Sequence, residues 1–330
     1  MADLSTKYLG LQLKNPLIVG SSGLTGSVDS IVKLAANGAG AVVLKSIFEE
    51  EIQMEFKETL KKEVGFQENN LEFFDYFDYQ IKNDVLRKTA ELISQVKEQT
   101  QIPVIASINC RSVGEWFAYA NKLQEAGADA LELNIHKLPA DVNEDPEKIK
   151  TDYLRIVEKV IEHVSIPVSV KLSPYFTNLG NIAKRLEKAG AKGLVFFNRF
   201  YNPDIDIENI RVTSGSVYSN PGDYVLPLRW ISLLSAELKC DLAGSTGIHS
   251  PENFIKMLLA GASGVQVVSA LYKNGPGYVR DMLFGLEKWM EKKGLSTIAD
   301  IRYLGKQAMP ANKELFERVQ FMRYFGEHKA

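Results

Sequence analysis

Polar and titratable side chains stand where the apolar stretches of this chain stop. Lys45 and Ser46 follow "AVVL", Asn109 follows "VIASI", Asn134 follows "ALEL", Lys171 interrupts "VSVKLS" and Asn198 follows "GLVFF". Burying such groups without partners costs roughly 1–3 kcal/mol each. Gathered on one rim, they imply a ligand, water or one another. Two further turns, Gly244-Ser245-Thr246-Gly247 and Ser269-Ala270, combine small residues with hydroxyls. Glycines let backbone amides approach an anion, the hydroxyls donate, and a helix starting nearby turns its positive end to the same place. This is phosphate-binding chemistry, with an ordinary tight turn as the plain alternative.

Two amines, Lys45 and Lys171, are expected to face the same rim. An ammonium there would stabilise negative charge on a reduced flavin, whereas a deprotonated lysine would form a Schiff base. Spacing alone leaves both open. In "ALELNIHKLPADVNEDP" an apolar strand passes into an acidic loop at Asn134, His136 and Lys137. His136 titrates near neutrality without a large shift, but Lys137, ordinarily near ~10.4, needs burial or a neighbouring cation to act as a base. The plain reading of the pair is a solvated loop.

The elements that position these residues repeat. "AANGAGAVVLK", "EAGADALELN", "KAGAKGLVFFN" and "LAGASGVQVVSA" each look like a helix ended by a left-handed glycine and followed at once by a short strand. Between them run "NPLIVGSS", "IPVIASIN", "IPVSVKLS" and "CDLAGSTG", continuously apolar as parallel strands covered on both faces are. Helical patterns occupy 28–37, 84–99, 113–126, 147–163, 178–189, 228–238, 251–260 and 277–292. Eight strand–helix units point to an α/β chain folded as a (β/α)8 TIM barrel, with an open doubly wound sheet as the alternative because periodicity does not report closure.

Long connections follow strands two (46–83), four (136–146) and six (199–227), on the face where such barrels build active sites. The first contains the aromatic and acidic "QENNLEFFDYFDYQIKN", a lid, a subunit contact or a packed flap. The expected division is a single barrel domain over 1–305 and a helical extension over 306–330. In the extension, Leu315, Val319, Phe321 and Tyr324 form one apolar face for the barrel or a neighbouring subunit.

A formal charge of −2 with no basic block argues against nucleic acid or an anionic membrane as partner. The two cysteines, Cys110 and Cys240, form no C-x-x-C pair and support no zinc or iron–sulfur site. With no signal-like or bilayer-length apolar segment, a cytoplasmic location is expected.

From Leu9 to Arg302 the chain resembles the dihydroorotate dehydrogenases. The resemblance rests on "NPLIVGSSG", "GAVVLKS", "ELNI", "VKLSPYF", "GSTGI" and "QVVSALYKNGP" in that family's order. It implies an FMN-dependent oxidoreductase acting on CH–CH groups, dihydroorotate to orotate in pyrimidine biosynthesis. Gly20 and Ser21 would touch the flavin ring, with Ser22 a one-residue alternative, beside Lys45, Ser46, Asn109, Asn134 and Lys171. Gly244 to Gly247, Ser269 and Ala270 would hold the phosphate. Asn198 and Lys45 would face the substrate.

The substrate side departs from the family. Where it carries a Cys or Ser base followed by Pro-Asn, this chain has His136-Lys137-Leu138-Pro139, so Lys137 and His136 are the candidate bases. The asparagine-bearing segment after strand two lacks a counterpart, and Arg199 replaces a small residue after Asn198. A changed substrate is the economical inference. Electrons would leave to a soluble acceptor or a partner redox protein, and a homodimer is an open option. Two other functions compete: a non-redox phosphate-binding lyase or isomerase using Lys45 or Lys171, and a catalytically inactive flavin-binding interaction protein.

Overall fold

The computed structural model of the protein describes residues 2–48, 71–109, 116–135, 138–199 and 202–308, with backbone alone at 71–83 and 116. The chain opens with a hairpin, β1 (Thr6–Tyr8) and β2 (Leu11–Leu13). Its two-residue turn places Leu9 at φ 56° and Gly10 at φ 79°, the two positive φ values of a type I′ turn. This hairpin is not evident from the sequence, because its strands are three residues long and its alternation is brief.

Eight parallel strands then close into a barrel. They are β3 (Leu17–Val19), β4 (Ala41–Val43), β6 (Val104–Asn109), β7 (Ala130–Asn134), β8 (Val168–Leu172), β9 (Gly193–Phe196), β12 (Asp241–Ser245) and β13 (Gly264–Val267). The last pairs with the first, Val265 opposite Leu17 and Val267 opposite Val19, and β4 pairs with β6. Those ladders exclude the open sheet. A short β5 (Ile47–Phe48) prolongs the second barrel strand beside β6.

The four Ala-Gly repeats end as expected, with Gly38, Gly127, Gly190 and Gly261 at φ 101°, 98°, 104° and 110°. Each lets the chain reverse from helix to strand without steric penalty from a Cβ. The helices are α1 (Val28–Ala36), α2 (Leu71–Gln99), α3 (Trp116–Glu125), α4 (Pro146–His163), α5 (Leu179–Lys188), α6 (Val225–Leu234), α7 (Pro251–Ala260), α8 (Ser269–Asn274), α9 (Tyr278–Lys293) and α10 (Ile298–Ala308). The helix expected over 84–99 already begins at Leu71, so the second half of the aromatic insertion is helical backbone. Residues 49–70, which carry the rest of it, lie outside the described residues.

The connection after the sixth barrel strand carries a second hairpin, β10 (Pro203–Asp206) and β11 (Arg211–Ser214), which forms an exposed arm. Helix α10 runs through position 305, where Gly305 packs so tightly on α7 that a Cβ would lie 1.8 Å from the Leu259 carbonyl oxygen. Leu315, Val319, Phe321 and Tyr324 lie outside the described residues.

Two apolar clusters hold the fold. The larger lies between strands and helices. The smaller fills the barrel itself: Tyr8, Leu9 and Leu13 from the N-terminal hairpin meet Ile18, Ala41, Val43, Ile105, Ala130, Val195 and Ala243. Asp241 fastens this plug by accepting from the Leu9 amide at 2.8 Å and from Ser263 Oγ at 2.7 Å. With the amino-terminal end stopped, the polar interior opens at the carboxyl ends of the strands.

Candidate active site at the carboxyl end of the barrel

Above the plug the barrel interior turns polar. Lys171 on β8 donates from Nζ to Gln266 Oε1 on β13 at 2.8 Å and lies 3.5 Å from Glu132 Oε1 on β7. Gln266 Nε2 donates in turn to Glu132 Oε2. Glu132 and Gln266 are 0% and 1% exposed. Neither stood out as a candidate, although a carboxylate inside "ALELN" and an amide inside "GVQVV" break runs that are otherwise apolar on every side.

Ser21, Ser46 and Ser107 form a hydroxyl chain along the first three barrel strands, with Oγ–Oγ distances of 3.1 Å and 2.7 Å. The Ser46 amide also donates to Ser21 Oγ at 3.0 Å. Beside it Lys45 is exposed, because adjacent side chains of an extended segment point to opposite sides. The two amines expected at the rim therefore differ: Lys171 is buried and ion-paired, Lys45 is at the surface. Asn109 is buried at the end of β6. Asn198 Nδ2 donates to Asn134 Oδ1 at 2.7 Å.

The phosphate-like turn has a distinct geometry. Thr246 and Gly247 take successive left-handed conformations, φ 78° and 80°, and a Cβ on Gly247 would lie 2.1 Å from the Tyr224 amide nitrogen. Consecutive turned amides of this kind form an anion-binding concavity. Ser269 Oγ accepts from the Ser219 amide at 3.0 Å, and Ser219 Oγ lies 2.9 Å from His249 Nε2. Burial, and next the nearby Lys273 ammonium, push the His249 pKa down.

Other expected contributors sit differently. Gly244 faces helix α7, where a Cβ would meet Met257 Sδ at 2.8 Å, so its smallness serves helix packing. Ala270 is fully buried in the core. Helix α7 begins beyond the turn, and Ser250 caps it by accepting from the Asn253 amide. At Gly20 a Cβ would lie 2.8 Å from Val268 Cγ2 and 3.3 Å from Gln266 Oε1.

A cavity of about 420 Å³ gathers part of these groups, while Gly20, Lys45, Ser46, Asn109, Asn134, Gly244 and Ala270 do not line it; its volume falls within the ~300–1,000 Å³ usual for small-molecule sites. Of the expected residues it is lined by Ser21 and its one-residue alternative Ser22, Lys171, Asn198, Ser245, Thr246, Gly247 and Ser269. The arm adds Arg199, Val217, Tyr218 and Ser219. Arg199 binds the arm to the barrel, donating from Nη1 to the Val217 carbonyl at 2.8 Å and from Nη2 to that of Ser216 at 2.7 Å. Lys171 and Arg199 are the charged side chains among the described lining residues, and both are cationic.

His136 and Lys137 lie outside the described residues. The preceding Ile135 carbonyl accepts from Tyr153 OH at 2.6 Å, which anchors the start of their loop. Cys240 is no nucleophile: burial, then Glu187 and Asp241, raise its thiol to about 12. Among the described residues there is no group of three or more His, Cys, Asp or Glu side chains placed to hold a metal ion, and no helix is long and apolar enough to cross a membrane.

A closed (β/α)8 barrel with a cationic, hydroxyl-rich cavity at its carboxyl face has the architecture of the barrel enzymes, which build their active sites on that face. The sequence model of the dihydroorotate dehydrogenase family matches residues 78–290, more than half of the chain, which therefore belongs to that family. Its members are FMN-dependent oxidoreductases acting on CH–CH bonds. Similar proteins include the catalytic subunit of dihydroorotate dehydrogenase B (NAD(+)) from Thermoplasma volcanium, 29% identical across 91% of this chain and 98% of that one. The protein of the same name from Pyrococcus furiosus is 28% identical across 91% and 97%. The NAD-dependent dihydropyrimidine dehydrogenase subunit PreA of Escherichia coli is 27% identical across 91% and 76%.

Proposed function

We propose that the protein oxidises a cyclic amide at adjacent carbons, with dihydroorotate the first candidate and FMN as cofactor. The observation that carries this reading is the buried Lys171 ammonium at one wall of a cavity whose far turn is the Thr246–Gly247 concavity. The residues fit FMN: the cavity is cationic and rich in hydroxyls, and the hydroxyls and backbone amides around the Thr246–Gly247 turn suit a phosphate. When bound, FMN would supply a hydride acceptor and pass the electrons on.

In this reading Ser245, Thr246, Gly247 and Ser269 hold the phosphate, and Ser219, whose amide donates to Ser269 Oγ, steadies that hydroxyl. Gly244 supports the turn through packing and Ala270 through its backbone. Gly20, Ser21, Ser46, Asn109 and Lys171 border the ring. Lys171 donates toward the ring edge where negative charge develops. Asn134 and Asn198 orient the substrate, with Lys45 at the outer edge of the mouth. Lys137 or His136 removes the proton from the carbon beside the one oxidised. Relatives named as NAD(+) catalytic subunits support a partner subunit that carries electrons onward, and the setting proposed is the cytoplasm.

A purified sample should be yellow, and anaerobic dihydroorotate should bleach it. A flavin-loaded protein that stays yellow would sink dihydroorotate as substrate. Colourless protein that takes up no FMN would instead favour the lyase or isomerase.

The His136-Lys137-Leu138-Pro139 departure favours a second reading within the same chemistry, a substrate other than dihydroorotate, whereas the cation that Arg199 adds to the cavity suits an anionic substrate such as dihydroorotate. The dihydropyrimidine dehydrogenase relative supports testing 5,6-dihydrouracil in the same assay. Bleaching by that compound and not by dihydroorotate decides for it.

A further inference from the structure

We infer that Glu132, acting directly and through Gln266, is the positioning residue that keeps the Lys171 ammonium charged and directed into the cavity. The inference rests on the FMN reading above and extends it to a side chain that no ligand would touch.

Glu132 is fully buried on β7, one strand away from Lys171 on β8. Its Oε1 makes no hydrogen bond and lies 3.5 Å from Lys171 Nζ. Its Oε2 accepts from Gln266 Nε2. The other end of that amide accepts from Lys171 Nζ at 2.8 Å. This orientation turns an acceptor to the lysine and a donor to the carboxyl group, so Gln266 bridges the two members of the pair. The lysine thus has its acceptors on the barrel side, while its ammonium still lines the cavity.

Stability does not account for this arrangement. A buried ion pair replaced by apolar groups of similar volume is often no less stable, and the layer beneath is already apolar. Below Glu132 the barrel floor holds further ionisable groups, of which Tyr8 interacts with it. Tyr8 on β1 is held neutral: its pKa is raised chiefly by burial and next by Glu132 and Asp241. Asp241 on β12 is occupied by the Leu9 amide and Ser263, and Cys240 beside it is held as a thiol. Among the described residues Lys171 is the one cation ion-paired with Glu132. Without the carboxylate, the buried ammonium would stand in the barrel interior with no counter-charge, the setting in which a charged group is least favoured.

The test uses FMN-loaded protein and reads the absorbance of the oxidised flavin and its midpoint potential between about pH 6 and 9.5. The wild-type profile is the reference. Glu132→Gln, which keeps shape and removes charge, introduces a one-proton step in both readouts, and the double variant Glu132→Gln/Lys171→Met abolishes it. Gln266→Met cuts the bridge while leaving both charges, and produces the same lysine-dependent step at higher pH. That variant keeps the inference testable should Glu132→Gln fail to fold. Profiles identical to wild type, or a step that survives removal of Lys171, overturn the inference. Stability lost without any change in the profiles likewise reduces Glu132 to a structural residue. A wild-type protein that binds no FMN removes the FMN reading together with this one, whereas failure of the inference alone leaves a yellow protein with unaltered variants.

Discussion

Asn198 Nδ2 donates to Asn134 Oδ1 at 2.7 Å and so joins the ends of the fourth and sixth barrel strands across the mouth of the cavity. The bond sets both amides: the Asn198 NH₂ and the Asn134 carbonyl face each other. Asn198→Ala should therefore lower kcat/KM by about ten- to a hundredfold, the worth of one or two lost amide hydrogen bonds. The bound-flavin spectrum should stay unchanged. Loss of flavin from this variant would place Asn198 in cofactor binding instead.

Gly247→Ala should weaken cofactor retention. The residue sits at φ +80°, and its added Cβ would fall 2.1 Å from the Tyr224 nitrogen. Left-handed strain alone costs about 1–2 kcal/mol, and the clash must also push the start of α6 away. Flavin remaining after dialysis, measured by absorbance, should drop well below wild type. Equal retention would remove this turn from the phosphate site.

The barrel floor should matter for folding more than for chemistry. Tyr8 is wholly buried among residues of six barrel strands, and Tyr8→Ala should destabilise by about 3–5 kcal/mol, as other buried aromatic truncations do. Urea unfolding checks the figure. A change below about 1 kcal/mol would mean that the hairpin does not plug the barrel.

Acid should loosen the arm over the cavity through His249. Its pKa is lowered by burial and next by Lys273, so between the unfolded value near ~6.5 and the lower folded one the unfolded chain binds a proton that the folded chain does not. Stability is then full above about pH 6.5 and falls as pH drops from there toward the folded pKa. Melting temperature followed from pH 8 to 5 should decline in that window for wild type. His249→Gln should flatten that part of the decline, and an unchanged slope would count against the assignment.

Much of this architecture is written locally. The eight apolar runs, the glycines that end four helices and the polar residues at strand ends are short-range signals, because helix capping and continuous burial are read within a few residues. The barrel, the rim that bears Asn109, Asn134, Lys171 and Asn198, and the family motifs followed from them. Arg199 was visible as a departure from the family, though not as the clamp on the arm.

What the sequence by itself determined, then, was which segments become strands and which polar residues end them. Tertiary structure decided who meets whom. Gln266 lies 95 positions from Lys171 and 134 from Glu132, and their junction exists because closing the barrel brings β13 across from β7 and β8. Closure also turned Ser46 inward and Lys45 outward, and it sealed the floor with a hairpin whose three-residue strands carry almost no periodic signal. Local pattern encodes burial; strand register and barrel stagger, which arise from the whole set of ladders at once, set the partners.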